Sequence, residues 1–190
     1  MKMGEKLVRK FYLKQFKAIS DAISSYDDLH LLVNHLAEGT TLTFEAKGCC
    51  IMVLDEREKQ LFPLGSFGVS EKYLEKGPLF INEKWSAFIT GEPEIIHDLS
   101  DNPAVQYPQQ AEDEGIVAMV TVPIVSRALV VGLYRIYFGE PKHIHDEDVD
   151  SLLVLGKLLG LVIENYGMKN FVEGVKTAMG SLPLRMLKGL

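Results

Sequence analysis

Apolar positions change period three times along the chain. Leu7, Val8, Phe11, Tyr12, Ile19, Ala22, Ile23 and Tyr26 recur at three- and four-residue steps, which predicts a helix over residues 5–25. Tyr26-Asp27-Asp28 interrupts that stripe. Either aspartate can cap a second helix over residues 28–46, ending near Gly48. Residues 49–55 and 60–65 then read as a first hairpin. Residues 116–125 and 129–138 are dense in β-branched and aromatic side chains and are separated only by Ser126, Arg127 and Ala128. They predict a second antiparallel hairpin. From Asp146 the helical period returns, in a Leu-rich run that reaches Tyr166.

Between the hairpins the signals are short. Gly65-Ser66-Phe67-Gly68 is loop-like, and Ser70 opens a short helix to about Glu75. Residues 82–90 suggest another short helix, and residues 94–97 a short strand. Pro103 and Pro108 keep residues 98–108 irregular, and residues 109–114 form a last turn before Gly115. No repeat or low-complexity linker divides the chain. The fold class is α+β, a mostly antiparallel sheet with helices before and after it.

Period-two alternation separates the faces of the second hairpin. Ile116, Ala118, Val120, Val122 and Ile124 form a purely aliphatic face that should pack on the long helices. The other face carries Val117, Met119, Thr121 and Pro123, continued by Leu133, Arg135 and Tyr137 on the second strand.

The order Gly-Ile-Val-Ala-Met-Val-Thr-Val-Pro-Ile, then Val-Val-Gly-Leu-Tyr-Arg-Ile, then Asp-Glu-Asp before a Leu-rich helix resembles the second half of a GAF domain. Asp98, Gly115, Pro123 and Gly132 fit the same family, and the resemblance spans residues 28–166. It implies a GAF/PAS-like central antiparallel sheet, with terminal helices on one face and crossover loops and short helices on the other. Residues 1–27 would then be an N-terminal helix, 28–166 the sensor domain and 167–190 a basic C-terminal tail. In proteins similar to this one the Met119 side of the sheet faces a ligand cavity. The expected ligand-binding set is Phe67, Trp85, His97, Tyr107, Met119, Thr121, Leu133, Arg135 and Tyr137. Such a set is apolar and aromatic with a few polar groups, which suits a small molecule. Two readings of Arg135 stand: it snorkels to solvent, or it points inward and meets an acid of the protein or of an anionic ligand.

The resemblance also bears on chemistry. Cyclic-nucleotide-binding members carry an Asn-Lys pair after the last long strand and a Phe three residues before an Asp-Glu pair. Here Phe138-Gly139 and Lys142 stand at those places, so only Asp146-Glu147 matches. Members that reduce free methionine-(R)-sulfoxide use loop cysteines, and bilin-binding members need an accessible one. This chain has only the adjacent Cys49 and Cys50, which a strand would turn to opposite faces. They are expected to be reduced and buried, as in a cytoplasmic protein. No cofactor is identified. The expected function is non-catalytic sensing, with a structural dimerisation module or a redox enzyme as the alternatives.

Charge and the remaining motifs refine this. The net charge is -6, yet residues 1–17 carry six basic side chains against one acidic, and residues 18–167 sum to -14. An acidic body does not suit a nucleic-acid-binding surface. The basic ends are either solvated helix faces or contacts for an acidic partner or anionic lipid. No run of about 18 apolar residues or apolar leader core occurs, so neither a transmembrane segment nor export is expected. His143 and His145 share one side of an extended segment near Asp146 and Asp148, a spacing that could bind a divalent metal, but a solvated loop before a helix is the stronger reading. Gly156 and Gly160 lie on one side of the last helix, and Leu155, Leu158, Val162 and Tyr166 exceed what covering the sheet requires. A homodimer through the terminal helices, signalling to a partner protein, is therefore expected.

Overall fold

The computed structural model describes residues 8–81, 86–99 and 105–180. Two helices, α1 (Leu13–Ser25) and α2 (Leu29–Phe44), precede a first hairpin, β1 (Gly48–Asp55) and β2 (Gln60–Phe67). A crossover follows, with α3 (Glu71–Leu74), β3 (Leu79–Phe80), α4 (Ser86–Thr90), β4 (Glu94–Ile96) and α5 (Pro108–Asp113). The second hairpin, β5 (Ala118–Ser126) and β6 (Leu129–Phe138), leads to the long α6 (Asp146–Gly180). The six strands form one antiparallel sheet in the order β3-β2-β1-β6-β5-β4.

The β5–β6 register follows from its turn. Arg127 and Ala128 both adopt left-handed backbone (φ 46° and 65°), as a tight two-residue hairpin turn requires. Period-two alternation then sorts the side chains into two cores. Ala118, Val120, Val122, Ile124, Tyr134 and Ile136 pack on the helices with Leu32, Leu36, Phe44, Leu152, Leu155 and Leu159. Met119, Leu133 and Tyr137 pack under the crossover with Cys50, Met52, Leu61, Tyr73 and Leu79. Ile116 departs from the expected alternation: it precedes the strand and joins the crossover-side core.

α2 buries Leu32, Val33, Leu36, Ala37, Thr40, Thr41 and Phe44, a helical stripe, and the Asp28 carboxylate caps it by accepting from the Leu31 N–H at 3.0 Å. The first helix starts later than its apolar spacing predicts. Residues 8–12 lack helical structure because the buried Asp148 carboxylate takes both the Lys10 and the Phe11 N–H, each at 2.7 Å. This arm seats Phe11 in the core against Phe16 and Phe44.

On α6, Gly156 and Gly160 face β5 rather than a second helix. A Cβ there would meet the Pro123 carbonyl oxygen at 2.4 Å and the Val125 carbonyl oxygen at 2.1 Å. Leu155 belongs to the core and Val162 packs on its edge, so neither lies on a free stripe. By length and composition α6 could cross a membrane. Its first half instead covers β5, and Asp148, Asp150 and Lys157 interrupt it.

Candidate functional site

The cavity of interest lies on the crossover side of the sheet. Met119 of β5 and Arg135 of β6, diagonal to each other across the pair, line it with Ile96 and Glu94 of β4. Tyr73 and Lys76 close one side, Leu79 another, and Val105, Gln106 and Tyr107 complete the wall. The 105–107 segment is tied across the crossover: the Tyr107 hydroxyl donates to the Pro78 carbonyl at 2.8 Å, and the Gln106 amide donates to the Phe80 carbonyl at 2.9 Å. Gly77 makes the first contact possible. Its φ is +123°, and a Cβ there would stand 2.7 Å from the Tyr107 hydroxyl.

Arg135 points inward and is only 5% exposed, which decides against snorkelling. Its Nε–H donates to the Thr121 hydroxyl oxygen at 3.1 Å, the residue directly opposite on β5. Lys76 is the second cation of the cavity. Its ammonium donates to the Tyr73 carbonyl at 3.0 Å and sits 3.8 Å from the centre of the Tyr73 ring. Burial, reinforced by Arg135, lowers the Lys76 pKa to about 8, against the opposing influence of Cys50 and Glu114. Tyr73 meets Tyr137 edge-on at 5.6 Å, and burial raises the pKa of both phenols. These rings fill most of the space: the cavity is about 30 Å³, close to the room needed for a single water.

Of the expected ligand-binding residues, Met119, Arg135 and Tyr107 line this cavity. Leu133 and Tyr137 lie in the packed core around it, and Thr121 reaches it through Arg135. Phe67 does not: it pairs with Cys49, whose side chain belongs to the helix-side core, and is 39% exposed at the end of β2. His97 also lies apart. Its ring is exposed, donates to the Lys142 carbonyl at 2.8 Å and lies against His143 with centroids 4.2 Å apart. Trp85 falls outside the described residues. Lys76 and Glu94 were not expected. Neither belongs to a long periodic segment, and nothing in their local spacing marks the side that faces the sheet.

The cysteines point to opposite cores, Cys49 to the helices and Cys50 to the cavity side. Both are free thiols, and burial raises their pKa values, that of Cys50 to about 11. His143 and His145 diverge, since His145 Nδ1 accepts from the Glu147 N–H at 3.2 Å at the start of α6. Among the described residues no group of three or more His, Cys, Asp and Glu is placed to hold a metal ion.

An antiparallel sheet with long helices on one face and a roofed cavity on the other defines a sensor-type α+β domain. The GAF domain model matches residues 28–164, and the chain belongs to the GAF domain family. No curated protein matches it. Among solved structures, it is similar to the GAF domain of a phosphoenolpyruvate-protein phosphotransferase from Coxiella burnetii. The TM-score is 0.74 at 18% identity, over 83% of this chain and 95% of the other. The corresponding domain from Acinetobacter gives 0.71 at 18% identity, over 83% and 96%. A free methionine-R-sulfoxide reductase from Neisseria meningitidis, solved with its substrate, gives 0.66 at 14% identity, over 85% and 96%. At these identities the likeness is one of fold.

Proposed function

We propose that this chain is a non-catalytic, cytoplasmic sensor of a small anionic molecule, bound between the sheet and the crossover and signalled through α6. The observation that carries this reading is the pairing of Arg135 with Lys76 in one cavity. Burial, with a smaller contribution from Arg135, lowers the Lys76 pKa, so the ammonium is held there at a cost. A carboxylate or phosphate between them would relieve it and accept the guanidinium's directed N–H groups. At about 30 Å³ the cavity is smaller than a metabolite, so a bound one needs more room than this conformation offers. Thermal shift and calorimetry against phosphate, acetate and dicarboxylates test this, with stabilisation expected in wild type and lost in Arg135→Met. Equal shifts in both proteins would defeat it.

Two raised, buried thiols support the non-catalytic assignment over a redox enzyme, because the thiolate is the reactive form. Reduced buried cysteines also suit the cytoplasm. The small, tyrosine-filled cavity favours a second reading, a structural dimerisation module whose pocket has collapsed. Native mass spectrometry of protein purified from its own host separates the two: a retained small molecule supports sensing, and its absence with no response to any anion supports the structural role.

The output surface we assign is the exposed stripe of α6. Val154, Leu161, Met168 and Val175 recur every seven residues and are exposed. Leu158, Asn165 and Val172 fall between them at the complementary heptad positions. This is the pattern of a two-stranded coiled coil, with Asn165 as the polar position that fixes register. A homodimer through α6 could then pass a change in the cavity to a partner signalling protein.

A further inference from the structure

The N-terminal arm, residues 8–12, meets the rest of the chain as a ligand meets a seat. The buried Asp148 carboxylate accepts from two successive backbone N–H groups, those of Lys10 and Phe11, one through each oxygen at 2.7 Å. Arg9 pairs with Glu147, and the Lys10 ammonium lies 3.2 Å from the Glu45 carboxylate. The buried Phe11 ring stacks on Phe44 with centroids 6.3 Å apart and meets Phe16 edge-on at 4.8 Å. These contacts select an arginine, a lysine and an aromatic ring in sequence order. We propose that this seat is a docking site for a basic–aromatic segment of a partner protein, and that the chain's own Arg9-Lys10-Phe11 fills it in cis as an autoinhibitory ligand.

The seat and its occupant are separable. The arm and α1 precede residue 28, where the match to the GAF domain model begins, whereas Phe44, Glu45, Glu147 and Asp148 all lie within it. Phe11 is the one buried side chain of residues 8–27, so this appendage adds a single anchor to the core. The rest of α1 is half-buried or exposed. Charge names the class of partner. Every ion pair that Glu45 and Glu147 make among the described residues comes from the arm. Vacating the seat strands the buried Asp148 carboxylate beside them without its donors, and another basic segment with free N–H groups restores both. Beside the seat, Val8, Pro141, His143 and Ile144 wall an open groove along which a longer segment can run. Because Glu147 and Asp148 stand in the first turn of α6, exchange of the occupant acts directly on that helix. A tethered occupant has an effective concentration of about a millimolar, so a free segment of equal fit competes poorly until the arm is unseated.

Fluorescence anisotropy of a labelled peptide spanning residues 7–13, added to the full-length protein, tests this, with the fold of each variant checked by circular dichroism. Wild type should bind the peptide weakly. Arg9→Glu with Lys10→Glu unseats the arm by repulsion from Glu147 and Glu45 and leaves the core untouched. This variant should bind the peptide at least about tenfold more tightly, and Phe11→Ala should do the same. Adding Asp148→Ala to the charge-reversed variant should abolish binding, and a peptide with alanine in place of its phenylalanine should bind none of the proteins. No tightening in the charge-reversed variant would overturn the proposal and make the arm a fixed part of the fold. Binding that Asp148→Ala leaves unchanged would overturn it too, because charge alone then explains the binding. A wild-type dimer that Asp148→Ala reduces to one chain would put a second copy's arm in the seat and overturn occupancy in cis.

Discussion

Lys76 and Arg135 concentrate the consequences at the scale of single residues. Lys76 has a folded pKa near 8 against an ordinary value of 10.5. Between those values the unfolded chain binds more protons than the native one, so this residue makes stability rise with pH across that window. Below about 8 both states are protonated and the full cost of the buried ammonium is present. The raised thiols act oppositely above their ordinary 9.0, so the comparison must be differential. Lys76→Met should be more stable than wild type at neutral pH, and the gap should narrow toward pH 9 in urea denaturation series. A bound anion draws the Lys76 pKa back up. Phosphate affinity should therefore weaken as pH rises through 8 in wild type and stay flatter in the Lys76→Met variant. Arg135 was legible in the sequence because a ten-residue strand alternates strictly, which put it on the face of Met119 and Thr121. Lys76 was not, because it follows a four-residue helix where no period operates. Phe67 was misplaced by treating the end of β2 as loop, when strand pairing carries it to the opposite face.

At the scale of elements, the contact between α6 and β5 joins the cavity sheet to the long C-terminal helix. Gly156 and Gly160 allow the helix to lie against β5 backbone, at the strand whose other face carries Met119 and Thr121. Either Gly→Ala substitution places a methyl group against a carbonyl oxygen and should destabilise by about 1–3 kcal/mol, the double variant more. Chemical denaturation measures this, and an unchanged midpoint would remove the glycines from the contact. The order of elements was readable because the long segments carry strong periods. The start of α1 was not, because its determinant is remote. Asp148 lies 137 residues from Phe11, and its two hydrogen bonds hold the arm extended against the local apolar spacing. Asp148→Ala leaves the Phe11 N–H buried without its acceptor and should cost about 2 kcal/mol. Hydrogen exchange should show the loss first in residues 8–12, since α1 contributes no fully buried side chain of its own.

The whole molecule is a packed domain extended by a helix that continues past it. α6 is 35 residues, roughly 50 Å. Its first half is held by the sheet, by Arg127 on Glu164 at 2.7 Å, and by the Tyr166 hydroxyl donating to the Tyr26 carbonyl at 2.5 Å. Beyond Tyr166, Met168, Phe171, Val172 and Val175 are exposed, Phe171 by 71%. The apolar excess of the sequence predicts association through this helix and marks Leu155, Leu158, Val162 and Tyr166 as its surplus, but Leu155 is in the core and Val162 packs against it, which only the sheet contact reveals. Gly156, Leu155 and Val162 face the domain, and the seven-residue stripe through Leu161 and Met168 faces outward. In a parallel pair Asn165 would meet its own copy, which favours two strands in one register at some cost in stability. Leu161→Glu with Met168→Glu should therefore yield a folded monomer, because neither side chain belongs to the core. Asn165→Leu should keep the association, tighten it and relax its stoichiometry. Light scattering at micromolar concentration reads all three proteins. A wild-type mass of 21.3 kDa, one chain, would exclude the coiled coil. A wild-type dimer that survives both glutamates would place the contact elsewhere.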